Sequence, residues 1–382
     1  MNIYFHLSKI NNFNNILNMT SGETKFSFYD KDNMILIVVS NAVFTFDGEK
    51  WNSYPISDIN LPGTDFSILK RPSIAEIYQP KNSQYSKVLL ISGGFNMSNK
   101  SSSKQNFVLN FFHDEKDTKC ILDFKYSDMT TGRFLHSAVN IANKYIILIG
   151  GKNEKEYLSS CECLSIDTKK WSQFPSMLSP RANFASCVTN NSTIYLYGGY
   201  IANGQFNTNK LTSSNVDLSD ISKSKWTELS LKSDKENSMP KACCCILPYE
   251  DNIILTGGTN GQNLLSGLFE IKISEMNEKE VEVDYLGEAK TARNNAHFLM
   301  KDGYFYLVGG AIKKYEFNES KTVIENYSEK FTFDLNNDIE SSLLGVNSSD
   351  IIEPLNNFGI NSNEYKNEPG FPYNCSIITK QF

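Results

Sequence analysis

A doublet of glycines closes a short apolar run five times in this chain, and that recurrence restricts the architecture more than any other feature. The copies read VLLISGG ending at Gly93-Gly94, YIILIGG at Gly150-Gly151, TIYLYGG at Gly198-Gly199, NIILTGG at Gly257-Gly258 and YFYLVGG at Gly309-Gly310. Measured between second glycines, the spacings are 57, 48, 59 and 52 residues. An apolar strand returning about every fifty residues marks a radially repeated β architecture, in which each unit buries its faces against its neighbours. A glycine pair at a strand end permits φ > 0, or the close approach of a neighbour, where a Cβ would not fit. A phosphate cradle is not indicated, because a P-loop needs Gly-Lys-Ser/Thr opening a helix, and polar loops follow these strands.

The flanks of each doublet repeat as well. Around Gly150-Gly151 the order is an arginine, an apolar strand from about Phe134, a turn, the Gly-Gly strand, a loop, a third strand from Cys161, an Asp-containing turn, and a fourth strand opening at Trp171. β-branched and aromatic residues alternate in short runs bounded by Asn, Asp, Gly and Ser, with no 3.6-residue period. Four antiparallel strands per unit make one propeller blade.

This order resembles the Kelch repeat in Arg181, Gly198, Gly199, Asp167, Trp171, Pro175 and Met177. The resemblance covers nearly the whole chain and implies an all-β, Kelch-type β-propeller forming a single domain over residues 1–382. The repeats fall at about 20–57, 71–126, 133–179, 181–231, 241–287 and 293–346. Residues 1–19 are similar to the last two strands of a blade and residues 369–382 to a first strand, so together they would close a seventh blade. Such a closure would remove open sheet edges. Seven blades is the expectation, and six is the alternative.

Arg71, Arg133, Arg181, Lys241 and Arg293 are read as opening successive blades from equivalent positions, which would set them in a ring on one face. Two roles stay open for them. In Kelch propellers that bind acidic peptides, arginines near this position line the central mouth, so by resemblance the ring could receive an acidic peptide segment. Alternatively, each guanidinium satisfies buried backbone carbonyls at a blade junction. Trp51, Trp171 and Trp226 are read as filling the space between blades. The segments after the doublets, 95–106, 152–159, 200–215 and 311–328, vary in length and share one repeat position, so they emerge on one face. They carry Phe95, Tyr200, Phe206 and Tyr315 among lysines, a composition suited to protein recognition.

Composition narrows the function classes. Hydrophobic residues make up 40% of the 382 and aromatics 12%, far above a disordered chain. The net charge of −6 weighs against a nucleic-acid binder. The eight cysteines show no CxxC spacing or matching histidines, so neither a zinc site nor another metal is expected. No signal peptide and no run of about twenty apolar residues is present, which points to the cytoplasm without membrane insertion. The copper radical oxidases that share the Kelch fold need a Cys-Tyr crosslink and two histidine ligands. Here the four histidines, His6, His113, His136 and His297, fall in different repeats, and no nucleophile elbow occurs. The expectation is therefore a non-catalytic protein-interaction scaffold without cofactor, its oligomeric state undetermined. A propeller enzyme acting on a small sugar, of the sialic-acid mutarotase type, is the alternative.

Overall fold

The computed structural model describes residues 26–344 with short interruptions, and they form six four-stranded antiparallel units in chain order. Blade 1 comprises Phe26–Tyr29, Ile35–Val38, Ala42–Phe46 and Trp51–Asp58, and blade 2 comprises Ser73–Ile77, Lys87–Ser92, Asn106–His113 and Thr118–Asp123. Blade 3 holds Ser137–Ile141, Tyr145–Ile149, Cys161–Ser165 and Trp171–Phe174. Blade 4 holds Ala185–Thr189, Thr193–Tyr197, Lys210–Asn215 and Lys225–Lys232, and blade 5 Ala242–Tyr249, Asn252–Thr259, Gly267–Ile271 and Glu280–Glu288. Blade 6 is built from His297–Lys301, Tyr304–Val308, Ser328–Phe333 and Ile339–Leu344. The architecture is a β-propeller.

The second strands read as nearly continuous apolar runs because both of their faces are covered. In YIILI, Ile147 and Ile149 pack into the cluster shared with blade 4, while Ile146 and Leu148 pack into the one shared with blade 2. Each such side chain contributes about 1.5–3 kcal/mol of burial free energy. The core is thus a set of wedges between blades. Outer strands join some neighbours as well. Ser230–Lys232 of blade 4 pairs in parallel with Glu280–Glu282 of blade 5, and blade 1 meets blade 2 likewise at Ile56–Asp58 and Cys120–Leu122.

The glycine doublets are where one blade locks to the next. Gly151 has φ 91°, and a Cβ there would lie 2.7 Å from the Phe134 carbonyl oxygen and 2.6 Å from His136 Cβ. Its N–H donates to the Arg181 carbonyl of blade 4 at 2.9 Å. Gly94, Gly199 and Gly258 donate in the same way to the carbonyls of Arg133, Lys241 and Arg293. The tryptophans bridge blades too. Trp171 Nε1 donates to the Ser127 carbonyl at 2.7 Å, and Trp226 Nε1 to the Pro175 carbonyl at 2.8 Å.

Two features differ from the expectations. The segment after Gly310 is a β-hairpin, Ala311–Glu316 paired antiparallel with Glu319–Ile324. Arg71 does not share the position of Arg133. A chain of backbone hydrogen bonds runs around the axis from Asn295 N to Cys243 O, Cys243 N to Asn183 O, Asn183 N to Leu135 O and Leu135 N to Arg71 O, at 2.8, 3.2, 2.9 and 3.3 Å. Arg71 therefore sits at the station of Leu135, two residues beyond that of Arg133, and Leu69 takes the arginine station. Among the described residues, the first strand of blade 1 also contacts the first strand of blade 6. The segments proposed for a seventh blade, 1–19 and 369–382, lie outside the described residues. So do Gly309, Gly310 and the side chains of Trp51 and Tyr315.

Candidate functional site

The second strand of each blade ends at its doublet, so the loops beyond Gly94, Gly151, Gly199 and Gly258 share one end of the propeller with the entries to the first strands. At that end the axial ring just described is strained. Arg71, Leu135, Asn183, Cys243 and Asn295 all adopt left-handed backbone, with φ of 60°, 56°, 55°, 58° and 51°. For a residue bearing a Cβ this costs roughly 1–2 kcal/mol, and such strain gathers where a chain must present side chains in one set direction. Asparagine tolerates the conformation best, whereas leucine, cysteine and arginine do not.

Arg71, Asn183, Cys243 and Asn295 form a polar cluster with Tyr200 on the axis, while Leu135 packs against Phe134 and Ala182. Asn183 Nδ2 donates to Cys243 Sγ at 3.1 Å, and the Cys243 thiol reaches the Tyr200 hydroxyl at 3.7 Å. Asn295 is buried beside the Cys243 thiol. Burial raises the Cys243 pKa to about 12, although Tyr200, Arg71 and Asn295 pull the other way. Burial also raises the Tyr200 hydroxyl, with the neighbouring Cys243 second. Both groups keep their protons at neutral pH and act as neutral donors.

Around the cluster lies an arc in which aromatics and cations alternate. The Phe95 and Phe134 rings stand 5.1 Å apart, and the Lys152 ammonium lies 5.5 Å from the Phe134 centroid and 5.4 Å from that of Tyr157. Tyr200 and Phe206 are 5.0 Å apart, and Lys241 lies 6.0 Å from the Phe206 centroid. Short β-bridges aim the arc. Phe134 pairs with Lys152, Lys152 with Tyr157, and Tyr200 with both Ala182 and Phe206. Phe95, Tyr157, Tyr200, Phe206, Lys152 and Lys241 are all partly exposed.

The arginines are elsewhere. Arg133, Arg181 and Arg293 are fully buried, and Arg71 is 5% exposed. Arg133 Nη1 donates to the carbonyls of Gly150 and Ser160, both at 2.9 Å, and its Nη2 meets Glu162 Oε1 at 2.7 Å. Glu162 also accepts from the backbone N–H groups of Thr130 and Thr131 at 2.7 and 3.0 Å. Arg181 meets Ser179 at 3.1 Å and Glu228 at 3.3 Å, and burial draws its pKa down to about 10 against the opposing pull of Glu228. At Arg133 these bonds match the second of the two roles, satisfaction of buried backbone carbonyls. A rim of exposed arginine charge is absent at Arg133 and Arg181, because both guanidiniums are buried and each meets a glutamate.

Of the residues singled out from sequence, the structure brings Phe95, Tyr200, Phe206 and Lys241 onto one face together with Arg71. It adds Phe134, Lys152, Tyr157, Asn183, Cys243 and Asn295. Their signal was positional: they stand one or two residues after the blade-opening basic residue, or just beyond a doublet. Among the described residues no group of three or more His, Cys, Asp or Glu side chains could hold a metal ion, and no helix is long and apolar enough to cross a membrane.

Comparison with known proteins bears on the same fold. The model of the KLHDC2/KLHL20/DRC7 Kelch-repeats domain matches residues 80–310, more than half of the chain. Among solved structures, the one titled "Structure of YjhT" is similar with a TM-score of 0.56 at 15% sequence identity, over 84% of this chain and 99% of that one. At that identity the likeness concerns the fold.

Proposed function

Because the chain belongs to the Kelch-repeat family, we propose that it works as a protein-interaction platform whose partner docks on the face carrying the glycine-doublet loops. The observation that carries this reading is the arc from Phe95 to Lys241, where partly exposed rings stand beside ammonium groups around a polar axis that includes Arg71. Aromatic residues and cations in such an arrangement suit an extended segment that supplies carboxylates and apolar side chains. An acidic peptide stretch is the partner of that chemistry. Its carboxylates would meet Lys152 and Lys241, while the axial donors Tyr200, Asn183 and Asn295 would meet backbone carbonyls.

An enzyme acting on a small sugar would need a proton-transfer group with a pKa near the working pH. Cys243 and Tyr200 both titrate far above neutrality, which weighs toward the platform.

Affinity isolation from the native extract tests the proposal, comparing the unaltered chain with Lys152→Glu/Lys241→Glu. Loss of the recovered partners on charge reversal is the expected outcome. Recovery of the same partners in the same amounts would remove the arc from consideration, and catalysed anomer exchange of a sugar by the unaltered chain, followed by NMR, would favour the enzyme.

A further inference from the structure

A repeat protein carries its own internal control, since one blade shows what the same positions can hold in another. Blade 3 turns Ile141, Tyr145, Ile147 and Cys163 toward blade 4, and all four pack in the apolar cluster between them. The strand registers place Thr189, Thr193, Tyr195 and Ser213 at the same stations in blade 4, facing blade 5: Tyr145 pairs with Ser165 and Ile147 with Cys163, just as Thr193 pairs with Asn215 and Tyr195 with Ser213. Three positions without a hydroxyl in blade 3, Ile141, Ile147 and Cys163, carry one in blade 4, and at the fourth the long Tyr145 gives way to the short Thr193.

The cover over this face changes too. Trp226 of blade 4 lies against blade 3, its ring 6.1 Å from Phe174. It stands opposite Ser214, which pairs with Ile194. The matching pairs in blade 5 are Val283 opposite Ile271 and Ile271 with Ile253, so valine takes the place of tryptophan. Between blades 4 and 5 the outcome is a cavity of about 630 Å³, bordered by those hydroxyls. Its hairpin turns lie at the start of the second strands, so it opens at the end of the propeller opposite the aromatic arc.

From this geometry we infer that the groove between blades 4 and 5 binds a neutral saccharide. Its volume is in the range of small-ligand sites, roughly 300–1,000 Å³. The hydroxyls of Thr189, Thr193, Ser213 and Thr227 each can donate and accept, as sugar hydroxyls do. Ser213 and Thr227 bond one another at 3.0 Å and keep further capacity. The rim is balanced in charge: Lys225 and Asp251 both border the groove, and Lys223 meets Asp220 at 3.3 Å. Ile273 and Met276, the latter 43% exposed, form an apolar lip for the C–H face of a pyranose ring. An apolar ligand would leave the hydroxyls without partners, and a phosphate ester would call for surplus cations.

Ligand-observed saturation-transfer NMR on the full chain tests the inference, with glucose, galactose, mannose and N-acetylglucosamine as separate probes and glucose 6-phosphate as the anionic comparison. At least one neutral sugar binds in the millimolar range, and Thr193→Tyr/Ser213→Cys, which installs the side chains blade 3 uses, weakens it at least about tenfold. Asn215→Ala at the exposed rim leaves the fold intact and weakens binding about three- to tenfold, which keeps the test decisive should the double variant misfold. Lys152→Glu/Lys241→Glu leaves sugar binding unchanged, separating this groove from the arc. The inference is overturned if no neutral sugar binds, if only the phosphate binds, or if the Asn215→Ala variant binds as the parent does.

Discussion

Replacing Arg133 by methionine tests how the blades are held together. The side chain is fully buried, and it donates to two backbone carbonyls and to Glu162, itself 1% exposed. Methionine keeps much of the volume and removes every donor. Glu162 would retain the N–H groups of Thr130 and Thr131, yet its charge would have no counterion in a medium that excludes water. Breaking a buried ion pair by deleting one partner costs about 3–5 kcal/mol, the larger part from the stranded charge. The second variant, Arg133→Met/Glu162→Leu, removes that charge and should recover about 1–3 kcal/mol through the coupling of the pair. Urea unfolding followed by fluorescence and circular dichroism measures both, with a lower midpoint at unchanged slope as the signature of lost stability. A cost below about 1 kcal/mol for the single variant would refute the reasoning, since that is the scale of an exposed pair. So would a double variant no more stable than the single one.

Other consequences follow from the same geometry. Gly151→Ala places a Cβ within 2.7 Å of the Phe134 carbonyl at φ 91° and should cost about 2–5 kcal/mol, the sum of strain and overpacking, visible as a lower melting temperature. His136, bonded to Ser73 at 2.5 Å, has its pKa held well below the ordinary value by burial first and the Arg133 charge second. The unfolded chain therefore takes up its proton first as pH falls. Stability is fully present above about pH 6.5 and declines below it by up to about 1.4 kcal/mol per pH unit until the folded value is reached. His136→Gln should flatten that segment of the stability-versus-pH curve, and an unchanged slope would assign it to other groups. A chain cut to residues 20–346 should melt cooperatively within a few degrees of the full chain if the ring closes between the first strands of blades 1 and 6. A large loss would instead assign the terminal segments to a seventh blade.

Much of the fold was legible because its causes are local. A glycine doublet after an apolar run expresses a steric requirement at a few adjacent atoms, and alternation within a strand expresses which face is covered. The site was less legible. Matching arginine to arginine put Arg71 level with Arg133, whereas the axial hydrogen bonds and left-handed φ values set it level with Leu135. The hairpin at 311–324 read as a loop because its pairing partner is its own other half, and lysines and glutamates interrupt its apolar residues.

The residues alone determined a Kelch-type propeller, the face on which its doublet loops emerge, and several members of the arc, Phe95, Tyr200, Phe206 and Lys241. The fold decided the rest. Whether a guanidinium is offered or consumed depends on carbonyls contributed across a blade junction, such as Gly150 and Ser160 for Arg133. Cys243 and Tyr200 lie 43 residues apart and meet only because two blades converge on an axis. The groove between blades 4 and 5 is a difference between neighbours, Val283 where Trp226 would stand and hydroxyls where blade 3 holds Ile141, Ile147 and Cys163. Such a difference acquires meaning only when the two faces are set against each other in space.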